Sequence, residues 1–400
     1  MTTLPAKRSV LRDTKFLRLW LATTASAVAT WALPFILGLA VLERTLTVPG
    51  LGVVLAARIV GFLVAVPIGG VLADRYSRRL IVFWAGVLSL VSTPLLAYGW
   101  LPVMVAAAAL LGAGQGACRP AFQAFTADVV DSEQRQQANA AMTFAVRVST
   151  LVAPGLTALL ATVASTSGIL LGTCALWLIV VLVPPGGTSQ VTRERAKFHR
   201  EFLDGLREAR RHPWFLAGLG ALTLTAAVGQ SSIAVALPLV SRDRYGTEAV
   251  LAAATTAYSV GALVGALIMA RWRPRNQGWA AFGGLALFGL APLSMLFPVH
   301  PVVIVAAFVA VGIGIELFNV PWFTATQREV EPAKLARVSS LDFMVSYGLA
   351  PIGLALFAPA INAFGLSAVL AACAAMCVLA PALAAVVPSS RHLARTPRSA

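Results

Sequence analysis

The chain has 400 residues, 58% of them hydrophobic and 12% charged, with a mean hydropathy of +0.81. That is too apolar for a soluble domain of this length and implies a polytopic membrane protein. The net charge of +15 raises nucleic acid as a partner, so the placement of the basic residues matters more than their sum.

The first apolar run follows MTTLPAKRSVLRDTKFLRLW, is long enough to span and has no cleavage-site pattern after it, so it reads as a membrane helix rather than a removed signal. Helix 1 is expected at about Leu19 to Leu42, helix 2 at Gly50 to Leu72 and helix 3 at Leu80 to Tyr98. Helix 4 follows at about Val103 to Phe125, helix 5 at Ala138 to Ala164 and helix 6 at Gly168 to Val183. A polar connection, Pro184 to Pro213, then divides the chain nearly in half. Within it Phe202, Leu206 and Ala209 share a face, which predicts an amphipathic helix lying along the membrane surface. Helices 7 to 12 fall at about Trp214 to Val240, Ala249 to Trp272, Gly278 to Phe297, Pro301 to Thr324, Leu335 to Phe364 and Leu366 to Val387. The expected architecture is all-α: a six-helix bundle over 1–183, a linker over 184–213, a second bundle over 214–388 and a tail over 389–400.

With the N-terminus in the cytoplasm, all but six of the 31 Lys and Arg lie in cytoplasmic segments or at cytoplasmic helix ends. The exceptions are Arg44, Arg242 and Arg244 outside, and Arg58, Arg119 and Arg147 within helices. This bias predicts a plasma-membrane protein with both termini inside, and explains the charge without a nucleic-acid partner. No GxGxxG or Walker sequence occurs, and His199, His212, His300 and His392 are scattered in loops or tails. Cys118, Cys174, Cys373 and Cys377 sit in apolar runs and read as core residues. Neither a cofactor, a metal nor an enzyme is expected.

The most informative stretch is Gly70 to Arg79, GVLADRYSRR, where one long apolar run ends and the next begins. An acid at the mouth of two membrane helices is expensive unless it meets a helix N-terminus or a cation, so Asp74 points to a docking role. The arginines alone are explained by a solvated, positive-inside turn. The Gly-x-Leu-Ala-Asp-Arg frame resembles the signature of the major facilitator superfamily between helices 2 and 3, with Ser77 at the family's usual glycine. In that superfamily the matching arginine pairs with the acid ending helix 4, and the matching aspartate docks on the start of helix 11. The resemblance therefore implies a gating set of Gly70, Asp74, Arg75, Arg78, Arg79 and Asp128.

The halves also echo each other. PAFQAFTADVVDSEQRQQANAAMTFAVRVSTLVAPG, from Pro120, parallels PWFTATQREVEPAKLARVSSLDFMVSYGLAPIG, from Pro321, while GALVGALIMARWRPR after helix 8 keeps the arginines of the signature and lacks its Asp. Duplicated halves are how many transporters build an alternating-access pathway. Ionisable groups deep in the membrane are functional candidates: Arg58, Arg119, Arg147, Glu316 and Asp342. Arg119 and Asp342 lie near enough to the interface to snorkel. Glu316 is the first choice for proton exchange, the alternative being a pair with an arginine of the other half.

Pro154 and Gly155 in helix 5 match Pro351 and Gly353 in helix 11, and read as hinges. In the superfamily a Gly-Pro with flanking glycines at this place in helix 5 marks antiporting exporters. Ala153, Thr157 and Ala158 stand at positions usually glycine, so the mark is degraded. In the helix 4 motif Gln115-Gly116 is present, but Gly112 replaces the expected arginine, for which Arg119 is the candidate substitute. Trp31, Phe35, Gln230, Trp322 and Phe323 are candidates for lining a central cavity, although aromatics near helix ends also serve as interfacial anchors.

The LRDTKFLRLW opening, the RPAFQAF stretch and Glu316 to Asp342 resemble the twelve-helix drug-exporter branch that includes macrolide efflux proteins and the enterobactin exporter. That implies export of amphipathic small molecules by proton antiport; the partners expected are the substrate, protons and membrane lipids, with the chain a monomer. A lipid or lysophospholipid translocator, or a membrane scaffold or sensor, remains open.

Overall fold

The computed structural model describes residues 10–186 and 198–394. Helix 1 spans Thr14–Leu42, helix 2 Val48–Arg75, helix 3 Arg78–Leu95, helix 4 Leu101–Val129, helix 5 Arg135–Leu160 and helix 6 Thr166–Leu182. A linker helix, Phe198–Arg210, leads to helix 7, which begins at Pro213–Thr225 and ends at Leu237–Tyr245. Helix 8 is Ala249–Arg271, helix 9 is Gln277–Ala286 followed by Leu290–Leu296, and helix 10 is Pro301–Glu329. Helix 11 comes in two parts, Leu335–Gly348 and Ala350–Phe364, and helix 12 is Leu366–Val386. Among the described residues, ten of these helices are long and apolar enough to cross a membrane, and Thr166–Leu182 and Ile352–Phe364 are shorter apolar helices.

Helix 1 starts where Asp13 accepts hydrogen bonds from the amides of Lys15 and Phe16, which satisfies two of the donors that a helix N-terminus leaves open. Helices 4 and 10 run about a turn beyond their apolar limits, because hydropathy marks the bilayer and not the end of the hydrogen-bond ladder. The extra turn carries Asp128 inside helix 4. Helix 7 departs further from expectation: residues 226–230 and 232–236 are π-helical. There the hydroxyls of Ser231 and Ser232 bond back to the carbonyls of Ala227 and Gly229, a competition that loosens the regular ladder.

Each half is built on a pair of closely packed helices, 2 with 4 and 8 with 10. A Cβ on Gly112 would lie 2.0 Å from the Arg58 carbonyl oxygen, and one on Gly312 would lie 2.1 Å from that of Tyr258. Small residues let backbones approach where lipid supplies no hydrophobic drive. Gly112 therefore leaves no space for the arginine the superfamily places there, unless helix 2 moves away.

Loops 2–3, 4–5, 8–9 and 10–11 and the linker helix share one end of the bundle, the linker face. From there to mid-membrane the halves are joined by helix 2 with helix 11, helix 5 with helix 8 and helix 5 with helix 10. Toward the opposite face, the second part of helix 11 and the last part of helix 7 pack on their own half. The linker helix turns Gly205, Glu208 and Ala209 inward, and a Cβ on Gly205 would meet Arg337 Cβ at 2.9 Å. Its buried face thus rests on the start of helix 11, not on the membrane surface; the Phe202 side chain lies outside the described residues.

Candidate functional site

Two seams close the linker face. In the first, Asp74 at the end of helix 2 reaches across the halves to the N-terminus of helix 11. Its Oδ1 accepts from the Ala336 amide at 3.1 Å and its Oδ2 from the Arg337 amide at 2.9 Å. A carboxylate meeting open amides at the positive end of a helix dipole is a favourable burial for an acid. Gly70, one turn earlier, makes the approach possible: a Cβ there would stand 2.6 Å from Ser340 Cβ. Arg78 is buried beside this contact, pairing with Asp128 and donating to the carbonyls of Ala124 and Pro332. It ties helices 3 and 4 of one half to the loop before helix 11 in the other. Arg75 is the last residue of helix 2, and Arg79 donates to the Val181 carbonyl at 2.7 Å, within its own half.

In the second seam, Gln136 near the start of helix 5 donates to the carbonyls of Met269 and Trp272, both at 2.7 Å, at the end of helix 8. Arg273 returns a bond to the Glu133 carbonyl. Between the seams, Asn139 Nδ2 donates to Thr324 and Gln327, both at 2.9 Å, Gln327 Nε2 donates to the Gln123 carbonyl, and Arg135 donates to the Gln327 carbonyl. Composition gave no sign of Gln136, Asn139 and Gln327. What could have revealed them is that amides are rare at membrane helix ends and recur here in both members of the duplicated helix 4–5 and 10–11 segments.

Deeper in the membrane, Arg147 Nε donates to Glu316 Oε1 at 2.6 Å, from helix 5 to helix 10. Glu316 is fully buried, its other oxygen faces Asn319 Nδ2 at 3.4 Å, and the Tyr258 ring lies 5.8 Å from the guanidinium. Glu316 therefore has a close cation, contrary to the picture of an isolated acid, because helices 5 and 10 meet at this depth. Asp342 does not snorkel: it is buried, accepting from Trp322 Nε1 at 3.0 Å and from Ser346 at 3.2 Å. Trp322, expected as a cavity candidate, is fully buried in the second half and stacks on Phe215 and Phe318. Phe323 is half-buried near Phe343, Phe35 and Gln230 are exposed, and Trp31 is half-buried.

Arg58 Nη1 donates to the Thr30 carbonyl of helix 1 at 3.2 Å and lies 3.5 Å from Gln115 Oε1 of helix 4. Arg119 is half-buried one turn along helix 4 from Gln115. The hinge candidates differ: helix 5 passes through Pro154 and Gly155 unbroken, whereas helix 11 is interrupted at Leu349, just before Pro351. Gly353 packs its backbone on helix 7, where a Cβ would sit 2.2 Å from the Ala227 carbonyl oxygen, while Gly155 faces open space.

At the surface of the linker face, Glu208 of the linker helix accepts from Lys334 Nζ at 3.0 Å and Arg211 at 3.2 Å, and faces His212 Nε2 at 3.5 Å. Burial acts to raise the Glu208 carboxyl, but the bond and charge of Lys334, with Arg211 and His212, outweigh it and hold the group below its ordinary value. Burial acts to lower the Lys334 ammonium, but Glu331 and Glu208 hold it above its own.

The profile describing the Major Facilitator Superfamily matches residues 19–353 and 219–400. Macrolide efflux protein A of Streptococcus pyogenes is 26% identical over 393 residues, covering 90% of this chain and 94% of that protein. The protein of that name from Enterococcus faecalis is 26% identical over 329 residues, covering 76% and 100%. Among solved structures, the human organic anion transporter MFSD10 superposes with a TM-score of 0.74 at 15% identity, covering 96% of this chain and 100% of that one. The E. coli fucose:proton symporter FucP does so with 0.72 at 14% identity, covering 93% and 99%.

Proposed function

This chain belongs to the Major Facilitator Superfamily, a family of transporters and not of enzymes, and from that premise we propose that it exports amphipathic small molecules by proton antiport. The linker face is assigned to the cytoplasm, both termini to the inside and the protein to the plasma membrane, on the distribution of its arginines. The halves are joined from the linker face to mid-membrane, so the conformation is read as outward-facing. The likeness to macrolide efflux proteins over nine-tenths of the chain supports export of drug-like compounds.

The observation that carries the coupling is the ion pair between Arg147 and Glu316 across the two halves. When Glu316 is ionised, the pair holds the inner ends together. A proton arriving from outside neutralises the carboxylate and removes the attraction, which lets the linker face open. Loss of that proton to the cytoplasm restores the charge, and substrate loaded from inside is carried outward as the pair reforms. The cycle moves protons in and substrate out. Asp74 and Arg78 act as conformational elements of the closed inner gate, not as substrate ligands.

The test is energised efflux of dyes, antibiotics and siderophores from an exporter-deficient bacterium, with and without protonophore. Protonophore-sensitive efflux by the wild type that is lost in a well-inserted Asp74→Asn variant is expected. Efflux unaffected by both treatments sinks the reading, and movement of lysophospholipids alone replaces it with a lipid translocator.

A further inference from the structure

Arginine in a bilayer is tolerated when it faces a polar partner or an aqueous pathway. Of the three membrane-embedded guanidiniums, Arg147 is matched by Glu316. Among the described residues, Arg58 and Arg119 form no ion pair, and Asp342 is turned away into the second half beside Trp322. Three positive charges therefore face one carboxylate.

Arg58 does not point to lipid, and Arg119 is half-buried. Arg58 is directed inward, onto the Thr30 carbonyl and toward Gln115. Gln115, Arg119 and Gln123 follow at intervals of four residues, so they share one face of helix 4. That face borders the opposite half, because the Gln123 carbonyl accepts from Gln327 of helix 10. Donor groups on that face are unused: Gln115 Nε2 and Gln123 Nε2 are buried and have no hydrogen-bond partner among the described residues. Gln115 is 5% exposed. Unpaired buried donors beside unpaired guanidiniums form a site that an anion completes.

We propose that Arg58 and Arg119, with the amides of Gln115 and Gln123, bind the anionic group of the transported molecule, so that the substrates are amphipathic anions such as carboxylates, sulfonates or phosphomonoesters. This rests on the transporter reading and narrows it: an anionic group satisfies the site, whereas a cationic amine adds a third like charge to it. The apolar body of the substrate occupies the remainder of the pathway. A free metabolite and an anionic lysolipid share this chemistry.

The test uses three probes of nearly equal size: 1-pyrenebutyrate, its methyl ester and 1-pyrenebutylamine. Binding to the purified full-length protein in a nonionic detergent is read by energy transfer from tryptophan to pyrene, with protein-free micelles as blank. The butyrate is expected to bind on the order of ten-fold more tightly than the ester or the amine. Arg119→Gln and Arg58→Gln each reduce that preference, the double variant abolishes it, and Arg119→Lys keeps most of it, while ester binding stays constant throughout. Displacement by lysophosphatidylglycerol but not lysophosphatidylcholine assigns the anion to a lipid source, and displacement by neither assigns it to a free metabolite. The proposal is overturned if the amine or ester binds wild type as tightly as the butyrate, or if the double variant keeps the preference. Should the double variant fail to fold, the ranking on wild type decides alone. Export of cationic dyes that is protonophore-sensitive and Asp74-dependent, together with amine binding ranked first, would leave the exporter standing and remove the anion site.

Discussion

The two seams that close the linker face descend from one duplicated plan, yet their chemistry is reversed. Where helix 2 meets helix 11, a carboxylate on the end of one helix accepts from the amides that begin the other. Where helix 8 meets helix 5, the end of the helix supplies the acceptors, and the amide of Gln136 at the start of the partner donates to them. Ala270 occupies the place of Asp74 in the repeat, so the second half has no acid there and its contact is made from the opposite side of the seam, by Gln136. The first seam rests on an ionised acceptor, the second on a neutral amide with one charged donor, Arg273, at its edge. A gate built this way has a strong side and a weak side.

The largest effect is expected from Asp74→Asn, which removes a charge from two hydrogen bonds worth about 1.5–3 kcal/mol each when the acceptor is ionised. A shift of that size lowers the closed-to-open ratio by roughly a hundred-fold or more, and energised efflux should fall to background with membrane insertion intact. Gly70→Val attacks the same seam by volume, since its Cβ would press on Ser340 and the Ala336 carbonyl. Efflux should fall about five-fold or more, because overpacking typically costs about 1–3 kcal/mol. A Gly70→Val protein with wild-type efflux would show that the helices do not approach this closely.

Gln136→Ala removes two neutral bonds, together about 1–2 kcal/mol, and should slow efflux several-fold without abolishing it. If it equalled Asp74→Asn, the contrast between the seams would be lost. The smallest effect belongs to the linker helix. The Glu208 carboxyl is held low, so its contribution is present above its unfolded value and lost as pH falls through the folded one. The Lys334 ammonium is held high, so its contribution is present below its unfolded value and lost as pH rises through the folded one. Above the ordinary imidazole range, where the His212 beside Glu208 carries no charge, the contact is constant up to about pH 10, and Glu208→Gln should lower the thermal unfolding midpoint by the same few degrees at about pH 8 and about pH 9. A loss that grew toward pH 6 would make the linker a pH sensor.

Much of this was legible in the sequence. The helices were, because bilayer crossing demands long apolar runs, and the candidate acids and arginines were, because charge in such a run is rare. The signature's resemblance implied the Arg78–Asp128 pair and the docking of Asp74 on helix 11; the other pairings were not legible. Arg147 and Glu316 stand 169 residues apart, and nothing local says that helices 5 and 10 bring them together. The weak seam was invisible for the same reason, since Gln136 reaches carbonyls that carry no sequence signal. Trp322 was misplaced because an aromatic near a helix end looks alike as anchor, lining or core; its indole went to Asp342 and its ring to a stack. The π-helical turns of helix 7 leave composition unchanged, and Gly112 revealed its meaning once the Arg58 carbonyl was seen against it.

The central claim is that ionised Glu316 holds the inner ends together and protonated Glu316 releases them. Spin labels at the linker-face ends of helices 2 and 11, read by double electron–electron resonance on the reconstituted protein, measure this directly. A short distance is expected in wild type and a long-distance population in Glu316→Gln, both measured at pH 8. A Glu316→Gln protein whose distances match the closed wild type at pH 8 would contradict it.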